Sequence, residues 1–169
     1  MNTITKLCIS GESWEWDGVR FSFLSPNKDL LNSNNKQILK RNNKSCVLKV
    51  EARQGSVLLT ADIEKPVEKL LVKNSFNLLK SDIVSVPHHG SKTSSSYDFI
   101  NAVNPSYAIV NRGYKNIYGH PKAQIINRYL DNNIKVFDTV NSGAVIVTLT
   151  DKKNIIEYKT TQSYFWNIN

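Results

Sequence analysis

The spacing of apolar positions changes partway along the chain. At the front they come in short blocks bounded by turn residues, as in strands. Trp14 to Trp16 and Val19 to Leu24 flank Asp17-Gly18, a two-residue hairpin signal. Ser45 to Ala52 and Ser56 to Ala61 flank a turn at Gln54-Gly55. In the first of these, Cys46, Leu48 and Val50 alternate with Val47 and Lys49. In the second, Val57-Leu58-Leu59 is apolar on both faces, as in a central strand. From Glu64 onward, helical spacing alternates with short apolar runs. Helices are predicted over Glu64 to Val72 (Pro66 in the first turn), Ser94 to Val103, and Pro121 to Leu130 with proline at its first position. Strands are predicted at Asp82 to Val86, Tyr107 to Val110 and Ile134 to Phe137. Ala144 to Leu149 and Ile155 to Tyr158 form a closing hairpin around Asp151 to Asn154. Residues 27–44, rich in Asn and Lys, read as an exposed polar loop. This order predicts an α/β (α+β) fold, a mixed sheet with helices packed on one side, in a single domain over 1–169.

Composition adds little to that picture, and charge adds a partner. No apolar run approaches the ~20 residues of a spanning helix, and the first residues lack a signal-peptide core, so the segment is expected to be soluble. The net charge of +8 favours a polyanion, nucleic acid being the commonest, although the lysines are spread out and locate no groove. Two cysteines make no framework. Cys46, in an apolar run, reads as a buried inert thiol, and a Cys8–Cys46 bridge is left open.

Chemistry concentrates where strands end. Asp62 directly follows Val57 to Ala61, the pair His88-His89 follows Ile83 to Val86, and His120 precedes a predicted helix. Open α/β sheets place their chemistry at that edge. An aspartate with two or three imidazoles is a ligand set for zinc, manganese or iron. An imidazole not bound to metal can act as an acid or steady a phosphate. Each group also has a plainer reading. Asp62 fits a helix cap, His120 a turn, and Ser91, Thr93 and Ser94 the capping of the next helix. Gly90 permits close backbone approach, and the hydroxyls after it could offer donors to an anion.

Three stretches, "SCVLKVEARQGSVLLTADIEKPVEKLL", "SDIVSVPHHGSKTSSSYDFINAVNPSYAIVNRGYKNIYGHPKAQIINRYL" and "TVNSGAVIVTL", together resemble the C-terminal half of a metallo-β-lactamase-like domain. The version resembled is the one at the C-terminal end of the DNA-internalisation competence proteins of the ComEC/Rec2 family. The likeness runs from about residue 8 to about residue 150, and the upstream "CISGESWEWDGVRFSFLSP" fits the same family's linker strands. The resemblance implies part of an αββα sandwich with a dinuclear zinc or manganese site. It implies metal ligation by Asp62, as the bridging aspartate, and by His120. It implies a leaving-group or phosphate role for His88 and His89, with metal ligation by one of them as the rival assignment. Ser91, Lys92 and Asn116 are the expected phosphate contacts. The implied activity is hydrolysis of DNA, single-stranded by expectation, during uptake in transformation. The implied setting is a soluble domain of an inner-membrane protein, on either its periplasmic or its cytoplasmic side.

Two departures qualify this. Ala61 stands where the family usually has glycine, which reads as a methyl crowding the metal. The family's upstream H-x-H-x-D-H motif is not in the chain, whose three histidines are all assigned. The chain therefore looks like a C-terminal piece of a larger protein, expected to bind a second metal poorly and to hydrolyse little or nothing by itself. Its expected partners are DNA, the upstream half of the same domain, a membrane channel, and a second copy through an exposed sheet face. The competing reading is a non-catalytic basic half-domain that holds DNA or a partner subunit.

Overall fold

A computed structural model describes residues 7–32, 40–149 and 153–161. The main sheet has seven strands in sequence order: β1 (Ser13–Trp16), β2 (Val19–Ser25), β3 (Val47–Ala52), β4 (Gly55–Leu59), β5 (Ile83–Ser85), β6 (Tyr107–Val110) and β7 (Lys135–Asp138). Pairs up to β3–β4 are antiparallel and those from β4 to β7 parallel. The architecture is thus the expected mixed sheet, and β4, apolar on both faces, is central. Asp17 and Gly18 both hold positive φ (51° and 74°), which a tight hairpin of right-twisted strands requires.

Three helices connect the parallel strands: α2 (Lys65–Leu79), α3 (Tyr97–Val103) and α4 (Ala123–Asp131). Leu58, Val84, Ala108 and Val110 of the sheet share one core with Val67 and Leu71 of α2, Phe99 and Val103 of α3, and Ile125 and Tyr129 of α4. The opposite sheet face carries Trp14, Phe21, Phe23, Leu48, Val50, Val57 and Leu59, paired in register and only partly covered. Trp14 stacks on Phe21 at 4.9 Å, and Trp16 is 75% exposed.

Several sequence expectations shift. Helix α2 runs past Val72 to Leu79 through a break at Ser75, because Leu79 is drawn into the core despite the polar run before it. Helix α3 begins at Tyr97 rather than Ser94, since the serines before it bond to neighbouring loops instead of capping it. Helix α4 begins at Ala123, and Pro121 lies before it in a cis peptide with His120. The 27–44 segment is not wholly an exposed loop. It holds the short helix α1 (Lys28–Leu31), capped by the Asn27 side chain and anchored by buried Leu30, and a 3-10 turn (Arg41–Lys44) with Asn43 fully buried. The final hairpin, β8 (Val145–Leu149) with β9 (Lys153–Glu157), forms its own two-stranded sheet flanked by α5 (Thr139–Ser142) and α6 (Tyr158–Thr161). Most of its expected turn, Asp151 to Asn154, lies outside the described residues or at their margin.

Cys46 is not a buried thiol. It is exposed, just ahead of β3, and forms a disulfide with Cys8. The strand's inward face belongs to Val47 and Lys49, and Lys49 is buried beside Glu51 at 2.9 Å.

Candidate metal and phosphate site

The three sequence features meet at the C-terminal edge of the parallel strands, and side chains from strand ends lock that edge together. Thr60, fully buried after β4, donates its backbone N–H to Ser85 Oγ (2.9 Å) and its hydroxyl to Ser85 O (2.7 Å). This fixes the loop carrying Asp62 against the loop carrying the histidines. The His88 N–H donates to Ala61 O at 3.0 Å, closing the same seam.

Asp62 does not cap α2. The N-cap is Glu64, which makes no side-chain cap bond. The Asp62 carboxylate is left facing His89, with Oδ1 and Nε2 3.4 Å apart and both side chains about half exposed. His89 Nδ1 lies 2.6 Å from Asn111 O, just beyond β6. A carbonyl only accepts, so Nδ1 carries a proton, and Nε2 is the nitrogen turned toward the Asp62 carboxylate. An imidazole held through its far nitrogen by a carbonyl is the arrangement that orients metal-ligating histidines.

His88 is differently placed. The Asn42 amide lies 3.2 Å from its Nε2, and Thr93 Oγ1 lies 3.2 Å from its Nδ1. Since the amide nitrogen donates, Nε2 accepts and Nδ1 donates to Thr93, so both ring nitrogens are engaged. Glu64 Oε1 stands 3.8 Å from Nδ1. His120 meets His88 edge-on at 5.9 Å, and its own Nδ1 is buried without a hydrogen-bond partner among the described residues. Burial holds the His120 imidazole below the ordinary histidine range, and the charges of Lys122, His88 and His89 add to that.

The His-His-Gly corner is bent into left-handed backbone. His88, His89 and Gly90 have φ of 49°, 54° and 82°. Successive residues there are costly unless surrounding bonds over-determine them. Those bonds are present. Ser94 donates to Pro87 O at 2.8 Å, Lys65 N–H to Thr93 O, and Arg128 to Ser95 O at 2.7 Å. Glu68, wholly buried on α2, accepts from the Ser95 and Ser96 N–H groups and from the Ser96 hydroxyl. Burial pushes the Glu68 carboxyl up, against those hydrogen bonds, which pull it down. Glu68 gave no sequence signal, because a lone glutamate inside a helix reads as solvated; only its i, i+3 relation to Leu71 on the core side hinted otherwise.

Gly90 is needed for packing as well as for φ. A Cβ there would sit 2.5 Å from Pro121 Cβ, and its carbonyl accepts from Lys122 N–H. The glycine that suggested close approach to an anion therefore approaches the His120 loop. Of the expected phosphate contacts, Lys92 is exposed, Ser91 is buried with its hydroxyl on Thr93, and the Asn116 side chain binds both the N–H and the carbonyl of His120 (2.9 and 2.7 Å). Asn116 thereby holds the His120 loop.

As a metal centre the donor set fits in part. Asp62 and His89 offer two converging donors, and the orphaned His120 Nδ1 a further one nearby. Among the described residues, however, no three such groups come close enough to hold an ion together.

No family model matches the chain. It is 40% identical over 134 residues to competence protein ComA of Neisseria gonorrhoeae, an alignment covering 79% of this chain and 18% of that protein. It is 32% identical over 159 residues to recombination protein 2 of Haemophilus influenzae (94% and 19%). It is 37% identical over 136 residues to ComE operon protein 3 of Bacillus subtilis (80% and 16%). The chain thus spans under a fifth of the length of these relatives. Their names and the breadth of the match across this chain support the ComEC/Rec2 competence family.

Proposed function

We propose that this chain is the C-terminal portion of a metallo-β-lactamase-like domain that hydrolyses DNA phosphodiesters during competence. The carrying observation is the Asp62–His89 pair, 3.4 Å apart at the edge of the parallel strands, with the far nitrogen of His89 fixed by Asn111 O. In this reading Asp62 and His89 hold a zinc or manganese ion, and His120 contributes from the facing loop. That ion would supply a hydroxide nucleophile and charge on the phosphate oxygens. His88, held by Asn42 and Thr93, orients the corner and steadies phosphate or leaving group, and Lys92 adds positive charge.

The remaining ligands come from residues outside this sequence, since two donors and a displaced third leave a metal mostly unprotected. The partly covered face with Trp14, Trp16 and Leu59 is where that other half packs, and a second copy is the alternative occupant in the chain by itself. Light scattering on the chain reads which: a clean monomer at high concentration counts against self-association. The Cys8–Cys46 disulfide favours the oxidising side of the membrane for this domain.

The test is cleavage of single-stranded DNA with manganese or zinc by the domain completed with its upstream half. Asp62→Ala and His89→Ala should each lower the rate at least a hundredfold, while His88→Ala, holding no metal, should lower it less. Full activity in Asp62→Ala and His89→Ala would sink the assignment. Undiminished DNA binding with no cleavage under any metal would favour the non-catalytic half-domain.

A further inference from the structure

The loop from Asn111 to Lys122 presents Tyr114, Ile117 and Tyr118 at 74%, 90% and 69% exposure. Single exposed apolar side chains are ordinary. Three within five residues, on a loop with Arg112, Lys115 and Lys122 and no acidic residue, are a composite surface. The loop is also held firmly. Asn116 clamps His120 on both sides of its backbone, Gly119 N–H donates to Asn116 O, and Lys122 N–H donates to Gly90 O. Lys122 Nζ reaches Tyr118 O at 2.7 Å. Arg112, paired with Asp138 at 2.6 Å, ties the loop's start to β7. The rings are therefore displayed by a fixed scaffold, which lowers the ordering cost of a ligand that uses them.

We propose that this loop is a stacking platform for single-stranded nucleic acid, taking bases on Tyr114 and Tyr118 and phosphates on Lys115 and Lys122. Tyr118 lies nearly parallel to His120, with ring centroids 5.9 Å apart and planes 18° apart, and His120 in turn meets His88. A base on the open face of Tyr118 is thus one ring removed from the histidine corner. Lys115 sits 5.3 Å from the Tyr114 ring centroid, which puts an ammonium beside the second stacking face. Beside Lys115 and His120 on the same loop is a cavity of about 390 Å³, lined also by Arg112, Asn116 and Asp138, with room for sugar and phosphate. The chemistry selects single strands, because bases in a duplex already stack on one another and cannot offer a face to a protein ring. The proposal rests on the functional reading above only in leading the strand toward Asp62 and His89.

The platform is tested without metal, so that its outcome is independent of hydrolysis. Fluorescence anisotropy in EDTA would compare the full chain's binding to a thymidine oligonucleotide of about 10 nucleotides, to an abasic strand of equal length and to a duplex. The expected result is preference for the thymidine strand. Tyr114→Ala and Tyr118→Ala should each weaken it about tenfold, Tyr118→Phe should restore it, and the abasic strand should bind all variants alike. Circular dichroism checks that the variants keep the fold. Equal binding of thymidine and abasic strands by the unaltered chain, or no change in the alanine variants, overturns the platform and leaves the hydrolytic reading standing. Loss of cleavage in the completed Asp62→Ala domain with the base preference intact would show the converse separation.

Discussion

Ala61 holds φ at 48°, a conformation that costs a residue with a Cβ on the order of 1 kcal/mol. The sequence reading took its methyl as a crowding group beside a metal. The backbone supplies a different reason for glycine at this place, since it turns the chain out of the central strand so that Asp62 faces His89. Ala61→Gly should therefore raise the stability of the chain, or leave it unchanged, by up to about 1 kcal/mol, the relief of left-handed strain being offset by the added freedom of the unfolded glycine. The midpoint of urea unfolding checks this, and a clear loss of stability would show that the methyl packs usefully. At the same scale, Asp62, His88, His89 and His120 were legible as candidates because each is a polar group where a strand gives way to a loop. Which histidine turns a nitrogen toward Asp62 was not legible. That depends on Asn42, Thr93 and Asn111, far apart in sequence, and on three consecutive left-handed residues that no composition signals.

The elements were read well where periodicity was strong and poorly where side chains override it. The hairpin at Asp17-Gly18 and the run of parallel strands followed from turn chemistry and apolar spacing. The starts of α3 and α4 were misplaced because Ser94 and Pro121, good helix-start residues in isolation, serve loop contacts instead. The disulfide was undecidable for a similar reason. Neither cysteine has a spacing that implies a partner, and only pairing β2 with β3 brings Cys8 beside Cys46, Cα atoms 5.9 Å apart. The bridge closes a 38-residue separation, so Cys8→Ser or Cys46→Ser should cost about 4 kcal/mol through loop-closure entropy. The check is thermal unfolding of the oxidised chain against each serine variant. A shift no larger than that of an ordinary surface substitution would mean the segment before β1 is held by its backbone bonds to Phe23 and Pro26 alone.

For the molecule as a whole, sheet order and chemistry agree. Parallel strands β4 to β7 put their C-terminal ends on one edge, and Asp62, the histidine pair, Asn111 and Asp138 all lie there. The net charge of +8 suits a polyanion but named no surface in the sequence, because the cations are dispersed. The folded chain places Lys92, Arg112, Lys115 and Lys122 on the loops around that edge. No helix among the described residues is long and apolar enough to cross a membrane. The central claim is that Asp62 and His89 form the metal-holding part of an incomplete site. Calorimetric titration of the chain with zinc or manganese tests it most directly. Weak binding of a single ion, lost in Asp62→Ala and in His89→Ala but kept in His88→Ala, is the predicted result. Tight binding of two ions, or weak binding that survives His89→Ala and disappears in His88→Ala, would contradict it.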